Sequence, residues 1–394
     1  MVAGAAVGAY VLAGLLLPKG LPVGVVLLGV VLGALHGLTA MGIVLVYRST
    51  RIINFAQAEI GGLAAALAVL LVTGKGVAYF VAVPIGLSAA LMVGAAVDAT
   101  VVRRVATAPK LIGTVAMVGV GQILGAGQLV LPHLFTDDLA PFTVYKTPFD
   151  FSTRIGPILF RGDHLLAVVA SVAVVVAISW FLGRTRIGTG IRAAAEAPER
   201  ARLAGIPIRR LSTITWVVSA GLSGLAALLS APIVGVSLGA IAGPSALVIP
   251  LTAAVLAKMD NLYGALGAAV AISVVQQSVF WSYPSSSVID VIVLAIVGVG
   301  IYLQRSGAIR EGGDLAGSAA ASEPRRLSPR ERRNPAVRGV AIAGAAIVAL
   351  VVVVLPTMVS ASSAALLANI AIYCIIALSA LVLTGWSGQV SLGQ

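Results

Sequence analysis

The amino-acid sequence predicts an all-α, polytopic integral membrane protein. Of its 394 residues, 59% are hydrophobic and only 10% are charged, whereas soluble domains have about 45–50% apolar and about 25% charged residues. The apolar residues form continuous runs, which indicates helices rather than the alternating strands of a membrane barrel. The net charge of +12 comes from basic residues in short loops between these runs. They indicate membrane topology and contact with anionic lipid, not nucleic-acid binding.

Apolar runs along the chain give about ten candidate spans in a first module and two in a second. The runs are 3–17, 22–47, 57–73, 77–102, 111–131, 164–182, 211–231, 245–257, 262–280, 288–303, 339–356 and 363–384. Several are shorter than the roughly 20 residues needed to cross the hydrocarbon, and 245–257 could form a re-entrant pair with 262–280. We therefore expect a membrane module at 1–303 and the beginning of another at 339–394. Residues 304–338 between them, rich in Gly, Ser, Ala, Pro and Arg, are predicted to be a disordered cytoplasmic linker.

The loops between the spans differ strongly in charge. If the spans alternate in direction, one side of the membrane holds 21 of the 26 Lys and Arg, in the loops 48–56, 103–110, 183–210, 258–261 and 304–338. Cytoplasmic loops carry such an excess, so we expect this side and the N-terminus to be cytoplasmic in a cell membrane. The opposite side has one sizeable loop, 132–163, which is either a surface for an extracytoplasmic partner or a passive connector.

The loop 183–210 is the most basic segment within the first module. It has seven arginines against Glu196 and Glu199. Residues 193–196 are strong helix formers, and Gly205 followed by Pro207 is a stop signal, so about three turns of helix are expected. A short cytoplasmic helix between spans would suit docking to a soluble partner. An ordinary basic loop that fixes topology explains the charge equally well.

A polar segment at 47–59 interrupts two apolar spans. Polar backbone at membrane depth is tolerated only where protein buries it or where it lines a cavity. Glu59 begins a span, and an ionisable group there is a functional candidate. An acid at a helix N-terminus is also favoured by the helix dipole, so both interpretations stay open.

Glycines recur at four-residue spacing in three sets: Gly29, Gly33 and Gly37; Gly121 and Gly125; and Gly235, Gly239 and Gly243. The missing side chains allow two helix backbones to approach closely. No strand precedes these glycines, so they do not indicate a nucleotide-binding loop. We expect close helix packing at all three sets, of which Gly29, Gly33 and Gly37 form a stripe on one helix.

Two of these segments resemble the branched-chain amino acid ABC transporter permeases of the LivH type. In the basic loop the similarity is carried by Arg186, Gly188, Arg192, Ala195, Glu196, Leu203, Gly205 and Arg210. In the polar segment it is carried by Arg51, Asn54, Phe55 and Glu59, whereas Gln57 and Ala58 stand where the family commonly has His-Gly. Gln57 is a path candidate together with these four residues. The resemblance implies that the loop contacts an ATPase subunit. We expect the polar segment to border the translocation path.

A third segment resembles the family less closely. Residues 251–256 and 263–268 are similar to its Thr-Ala-Ala-Val-Leu-Gly-Gly and Pro-Gly-Ala stretches, but residues 257–260 replace the glycine pair. We expect a charged cytoplasmic corner there in place of a tight turn. Gln276 and Gln277 in the following span are pore-lining candidates, but interhelical hydrogen bonds are the favoured interpretation for these amides.

The last spans repeat the first ones. With an offset of 337 residues, 3–17 falls on 340–354 and 53–57 falls on 390–394, which predicts a second, parallel copy of the opening module. Residues 385–394 resemble a motif of the partner permeases of the LivM type, so Gln389 and Ser391 are further path candidates. The sequence stops inside this motif, which we interpret as a truncated second module.

The resemblance implies the permease subunit of an importer for branched-chain or related small amino acids. Such a permease works with cytoplasmic ABC ATPase subunits and an extracytoplasmic substrate-binding protein. Relatives that carry urea or short amides provide an alternative cargo, and a secondary transporter or channel is a less favoured class.

Residues for other chemistry are missing from the sequence. Residues 74–76, Gly-Lys-Gly, lack the earlier glycine and the hydroxyl residue of a phosphate-binding loop, so ATP is expected to bind elsewhere. The three histidines are too dispersed for a metal site. Glu59, Asp98 and Asp290 are too few and too scattered for an intramembrane enzyme. We therefore predict no enzyme activity, no cofactor and no metal.

Overall fold

The computed structural model describes residues 19–106, 110–135, 142–143, 145, 147–149, 151–237 and 245–283, together with positions 295, 298 and 375. The chain divides into two compact units, Met1–Gly307 and Ala308–Gln394, and all described residues except position 375 belong to the first. The predicted spans 3–17, 288–303, 339–356 and 363–384 and the linker 304–338 lie outside the described residues.

Helices account for nearly all of the regular structure in the described part of the chain. They are α1 (Val23–Thr50), α2 (Gln57–Lys75), α3 (Tyr79–Val97), α4 (Lys110–Val130), α5 (Gly162–Arg184), α6 (Arg186–Glu196), α7 (Pro198–Leu203), α8 (Ile208–Val234), α9 (Ser245–Leu256) and α10 (Leu262–Ser282). A π-helical turn, Asp98–Val102, extends α3 to Val105, and a 3₁₀ turn, Leu131–Leu134, follows α4. The all-α prediction is confirmed.

Seven of these helices are long and apolar enough to cross a membrane. They correspond to the predicted spans 22–47, 57–73, 77–102, 111–131, 164–182, 211–231 and 262–280. The run at 245–257 forms the shorter α9, which contains Pro250. With 12 residues and a rise of about 1.5 Å per residue, α9 is too short to cross the hydrocarbon alone.

Short strands lie at one end of the helices. β1 (Phe142–Thr143) pairs antiparallel with β4 (Val236–Ser237), and β2 (Ser152–Ile155) forms a hairpin with β3 (Ile158–Arg161). Gly156 at the hairpin turn has φ +60°, a conformation that glycine adopts without strain. The loop 132–163 therefore contains a β-hairpin, β2–β3.

The loops at the ends of the helices come together in two groups. At the arginine-rich end, Arg48 forms an ion pair with Asp260 at 3.3 Å, and Arg103 donates to the Thr213 hydroxyl at 2.9 Å. At the hairpin end, Arg161 donates to the Pro232 carbonyl at 2.9 Å. The first group contains described residues of four loops that were predicted to share one side of the membrane: 48–56, 103–110, 183–210 and 258–261. Loop 304–338 lies outside the described residues.

The glycine stripe of α1 packs directly on α10. A Cβ atom added to Gly29 would lie 2.6 Å from the Cα of Val274, and one added to Gly33 would lie 2.6 Å from the Cα of Val270. At Gly37 the nearest atom would be the Leu266 Cδ1. The predicted close approach of helices at this stripe is confirmed. At Gly121 a Cβ atom would make only ordinary contact, 3.5 Å from the Ala56 Cα. The prediction is wrong at Gly235, which follows the end of α8 with φ +88° and is not within a helix, and Gly239 and Gly243 lie outside the described residues.

Apolar side chains cover the outer faces of the peripheral helices. On α5, Val169, Val172, Val176 and Trp180 are each about 60% exposed, whereas α1 and α8 are largely buried at the centre. Such an extensive apolar surface would be unfavourable in water but is favourable in contact with lipid. The bundle therefore has the exterior of a membrane protein.

Candidate functional site

A cavity of about 430 Å³ lies among α1, α2, α8, α9 and α10, with one residue from α4. We call it the central cavity. Most of its wall is apolar or small, and its polar lining residues are His36, Thr39, Gln128, Ser223, Ser230, Gln276 and Gln277. Its volume falls within the range of small-molecule sites, roughly 300–1,000 Å³, and a few polar groups on an apolar wall are typical of them.

The central cavity continues toward the hairpin end. A second cavity of about 570 Å³, the hairpin-end cavity, shares Leu32, Val234, Gln276 and Gln277 with it. The hairpin-end cavity also reaches Arg161, whose Nε lies 3.3 Å from Asp163 Oδ2. The two spaces therefore adjoin along α10. Gln276 and Gln277 line both cavities, and that they line a pore stays a prediction.

The polar segment between α1 and α2 is buried and internally bonded. Asn54 Nδ2 donates to Gln57 Oε1 at 2.7 Å, and Asn54 Oδ1 accepts from the Ala56 N–H at 3.1 Å. Gln57 Nε2 donates to the Ser219 carbonyl on α8 at 2.9 Å. A Cβ atom on Gly42 would lie 2.5 Å from Gln57 Nε2, so that glycine makes room for the amide. Asn54 thus orients Gln57, which packs against α1 and bonds to α8, and the α2 residues that line the central cavity begin at the next position, Ala58.

Glu59 is connected to the central cavity through Gln128. Glu59 is buried, and its Oε2 accepts a hydrogen bond from Gln128 Nε2 at 2.5 Å. Gln128, itself buried, lines the cavity. A Cβ atom on Gly62 would lie 2.7 Å from Gln128 Oε1, so the glycine leaves space for the amide. Sequence reasoning missed Gln128, although an amide within an apolar helix was a detectable signal.

The remaining residues predicted for the path lie elsewhere. Arg51 is exposed at the end of α1, with φ 58° and its guanidinium carbon 5.6 Å from the centre of the Tyr47 ring. Phe55 is half-buried and packs on apolar clusters. Gln389 and Ser391 lie outside the described residues.

His36 on α1 and Ser273 on α10 form a polar contact in the bundle. The distance from His36 Nδ1 to Ser273 Oγ is 2.9 Å, and His36 lines the central cavity. Among the described residues no group of three or more His, Cys, Asp or Glu side chains could hold a metal ion. His36 therefore belongs to the cavity wall and to the contact between α1 and α10.

The basic loop contains two short helices where one was expected. Thr185 caps α6 by accepting from the Gly188 N–H at 2.9 Å, and the helix ends at Glu196. Ala197 has an extended φ of −148°, and Pro198 begins α7. Proline is favoured at the first position of a helix because its missing N–H would be unpaired there. The break between α6 and α7 therefore follows from Pro198, a local signal that the prediction of a single helix did not include.

The residues predicted to contact an ATPase divide by exposure. Arg186, Arg192, Glu196, Leu203, Gly205 and Arg210 are exposed. Leu203 is 89% exposed, the highest value among the exposed large hydrophobic residues of the described chain. Gly188 and Ala195 are buried, and a Cβ atom on Gly188 would lie 2.2 Å from the Phe181 carbonyl oxygen. Gly188 thus seats α6 on the end of α5, while the charged residues and Leu203 face outward.

A third cavity, the arginine-end cavity, lies between α6 and the rest of the bundle. Its volume is about 370 Å³, and its lining includes Arg48, Arg192, Ala195 and Asp260. Asp260 follows a tight corner in which Lys258 and Met259 both have left-handed backbone, with φ 56° and 53°. The corner is therefore both the tight turn typical of a glycine pair and the charged corner predicted for residues 257–260.

Asp98 connects α3 to the beginning of α8. Its carboxylate is fully buried and accepts from the Ser212 and Thr213 hydroxyls at 2.8 and 2.6 Å. Arg103 Nε lies 3.3 Å from the same carboxylate. A π-helical turn is rare, and such turns occur frequently at functional sites. Ser212 and Thr213 are only a few residues beyond the basic loop, so this cluster anchors the loop to the helices.

These features define a class of protein: a multi-pass membrane permease, with cavities between apolar helices and short helices exposed at one end. Residues 25–302 match the family described as branched-chain amino acid transport system / permease component. The chain belongs to that family and is a permease subunit of an ABC importer.

Curated relatives agree with the family match. The high-affinity branched-chain amino acid transport system permease protein LivH of Escherichia coli is 27% identical over 299 residues, which cover 69% of this chain and 92% of the relative. LivH of Salmonella typhimurium is 26% identical over the same coverage. BraD of Pseudomonas aeruginosa, a permease protein of such a system, is 26% identical over 250 residues, 60% of this chain and 80% of the relative.

Proposed function

We propose that this permease imports branched-chain or closely related small amino acids through the central cavity. The observation that carries the proposal is the cavity itself, about 430 Å³ in volume, with a mainly apolar wall and a few polar side chains. An aliphatic side chain would contact the apolar wall, where its burial is favourable at about 25 cal/mol per Å². The polar amino-acid end would contact the amides and hydroxyls. The names of the relatives support this cargo.

The cargo would enter from the hairpin end. The hairpin-end cavity adjoins the central cavity there and contains Arg161. The arginine-rich end carries the excess of positive charge typical of a cytoplasmic side, so we assign the hairpin end to the extracytoplasmic side. The hairpin β2–β3 and the neighbouring β1–β4 pair would then be the surface offered to a substrate-binding protein.

The ATPase subunits would dock on the exposed face of α6 and α7. That face presents Arg186, Arg192 and Glu196 of α6 and Leu203 of α7, and Arg210 is exposed nearby in sequence, in the first turn of α8. A large apolar side chain surrounded by charged residues is typical of a protein contact surface. Asn54, Gln57 and Glu59 would border the path by holding α1, α2 and α8 together around the cavity. They would not all need to contact the cargo directly.

The test is uptake by proteoliposomes that contain this permease, the partner permease, the ATPase and the binding protein. We expect ATP-dependent accumulation of radiolabelled leucine that is insensitive to collapse of proton and sodium gradients. Uptake that follows an ion gradient without ATP would contradict the ABC mechanism. Uptake of urea or acetamide in preference to leucine would contradict the proposed cargo.

A single substitution separates the docking surface from the fold. Leu203→Glu introduces a charge at a position that is 89% exposed, so the permease should fold, but its affinity for the ATPase should fall by at least about tenfold, as for a contact residue at an interface. Phe151→Glu is the matched control, because Phe151 is 59% exposed at the opposite end. Equal co-purification of the ATPase with both variants would contradict the assignment of α6 and α7.

A further inference from the structure

The side of the central cavity formed by α2, α4 and α8 carries three polar side chains whose hydrogens are already bonded within the protein. We call Gln128, Ser223 and Ser230 the acceptor wall; all three line the cavity. Ser223 and Ser230 are seven residues apart on α8, so they share one face of that helix. Gln128 reaches the same side from α4, across Gly62 of α2.

The amide of Gln128 has a fixed direction. Its Nε2 donates to Glu59 Oε2 at 2.5 Å and to the Glu59 carbonyl at 3.3 Å. A carboxylate and a carbonyl only accept hydrogen bonds, and an amide nitrogen has two hydrogens to donate. Both hydrogens of Gln128 are therefore directed to Glu59. Its Oε1, an acceptor, is the polar atom left for the cavity.

The two serines are oriented in the same sense. Ser223 Oγ donates to the Gln57 carbonyl, and Ser230 Oγ donates to the Ala227 carbonyl at 2.9 Å. A hydroxyl has one hydrogen and two lone pairs. While that hydrogen is bonded to the backbone, each serine presents lone pairs to a molecule in the cavity. The acceptor wall thus offers oxygen lone pairs and no donors.

Negative charge lies directly behind these acceptors. Glu59 is buried and is joined to the cavity by Gln128. Charge acts over a longer range in a low-dielectric interior than in water. A group with several hydrogen-bond donors and a positive charge fits this wall, whereas a carboxylate would meet only lone pairs and like charge.

We propose that the acceptor wall, with Glu59 behind it, binds the ammonium group of an amino acid in transit. This inference rests on the proposed function and specifies how the cavity would recognise its cargo. An ammonium group has three donors and a full charge. An amide N–H has donors without the charge, so urea and short amides would bind this wall more weakly than an amine of the same carbon skeleton.

The experiment measures binding of tritiated leucine to the complete permease and ATPase complex in nanodiscs, without the binding protein. Three competitors isolate the parts of leucine: 3-methylbutylamine keeps the ammonium, 4-methylpentanamide has only an amide, and 4-methylpentanoate keeps the carboxylate. We expect the amine to compete at least about tenfold better than the other two, since hydrogen bonds to charged groups are about twice as strong as neutral ones. Equal competition by amine and carboxylate would overturn the proposal.

Gln128→Leu removes the acceptor and the connection to Glu59. We expect it to weaken binding of leucine and of the amine by at least about tenfold while leaving the affinity for the ATPase unchanged. Gln122→Leu is the matched control, because Gln122 is on the same helix but is exposed. Unchanged amine binding by a folded Gln128→Leu variant would also overturn the proposal.

Two further variants keep the test decisive if Gln128→Leu does not fold. Exchanging the pair, as Glu59→Gln with Gln128→Glu, keeps the buried hydrogen bond and moves the carboxylate to the cavity, so amine competition should be at least as strong as in the wild type. Ser230→Ala removes one acceptor and should weaken amine binding severalfold. Loss of amine preference in the exchanged pair would contradict the proposal. If the wild-type complex binds no leucine at all, the proposed function fails instead.

Discussion

The contact between α1 and α10 leads to a quantitative prediction about Gly33. A Cβ atom at this position would lie 2.6 Å from the Cα of Val270. Ordinary van der Waals contact begins at 3.4 Å, so Gly33→Ala requires the two helix backbones to separate locally by about 0.8 Å. Backbone atoms cannot rotate away as a side chain can. We expect a cost of about 1–3 kcal/mol, the usual range for overpacking a well-packed site.

Gly267→Ala on α10 is the matched control. A Cβ atom there would have no heavy atom within 4 Å, so the substitution brings only the helix preference of alanine, about 1 kcal/mol in its favour. Gly33→Ala gains the same preference, and the comparison therefore isolates the packing cost. The stripe predicts an order as well: Gly29 and Gly33 face backbone atoms of α10, while Gly37 faces the end of the Leu266 side chain, so Gly37→Ala should cost less than either.

The assay is denaturant unfolding of the variants in detergent micelles or nanodiscs, followed by tryptophan fluorescence. We expect Gly29→Ala and Gly33→Ala to unfold with free energies about 1–3 kcal/mol below that of Gly267→Ala. Leucine binding should also weaken, because α1 and α10 both line the central cavity. Free energies for Gly33→Ala and Gly267→Ala that agree within error would refute the packing argument.

Two further predictions concern the arginine-rich end. Arg103→Gln should lower the free energy of unfolding by about 1 kcal/mol, because half-exposed Arg103 pairs with buried Asp98. The control Arg104→Gln, at the neighbouring exposed position, should have no effect. Equal thermal stability of the two variants would contradict the pairing. Lys258→Gly should raise the free energy of unfolding by about 0.5–1 kcal/mol, because it relieves left-handed backbone at φ 56°. Lys75→Gly, within α2, should lower it, and destabilisation by both glycines would exclude strain at the corner.

The membrane-spanning helices could be predicted because hydrophobic length is a local property of the sequence. The seven long helices occur within a few residues of the predicted runs. The stripe of Gly29, Gly33 and Gly37 was also readable, because four-residue spacing places all three on one face of a helix. The sequence could not say that α10 packs on this face. That depends on the order in which helices meet.

The polar contacts around the central cavity were beyond sequence reasoning for the same reason. Glu59 and Gln128 are 69 residues apart, and His36 and Ser273 are 237 residues apart. Neither pair has a spacing that indicates contact. By contrast, the bond between Asn54 and Gln57 spans three residues, and the polar segment that contains it was singled out. Sequence reasoning succeeded where interactions are local and missed the partners that the helix arrangement brings together.

Two helices, α8 and α1, each extend from the arginine-rich end, where the proposed ATPase surface lies, to the central cavity proposed for the cargo. Helix α8 begins just after the basic loop, bonds to Asp98 through Ser212 and Thr213, and reaches the central cavity at Ser223. The eleven residues from Ser212 to Ser223 span about 16 Å of helix at about 1.5 Å per residue.

Helix α1 makes the same connection from the other direction. Its Thr39 lines the central cavity, and its Arg48 lines the arginine-end cavity beside Arg192 of α6. The glycine stripe packs α1 closely on α10. The Ser219 hydroxyl donates to the Gly42 carbonyl and so joins α8 to α1, and Gln57 joins α2 to α8. Packed helices move as rigid elements rather than deforming continuously. A displacement of α6 imposed by an ATPase would therefore reach the walls of the central cavity through α1 and α8 together.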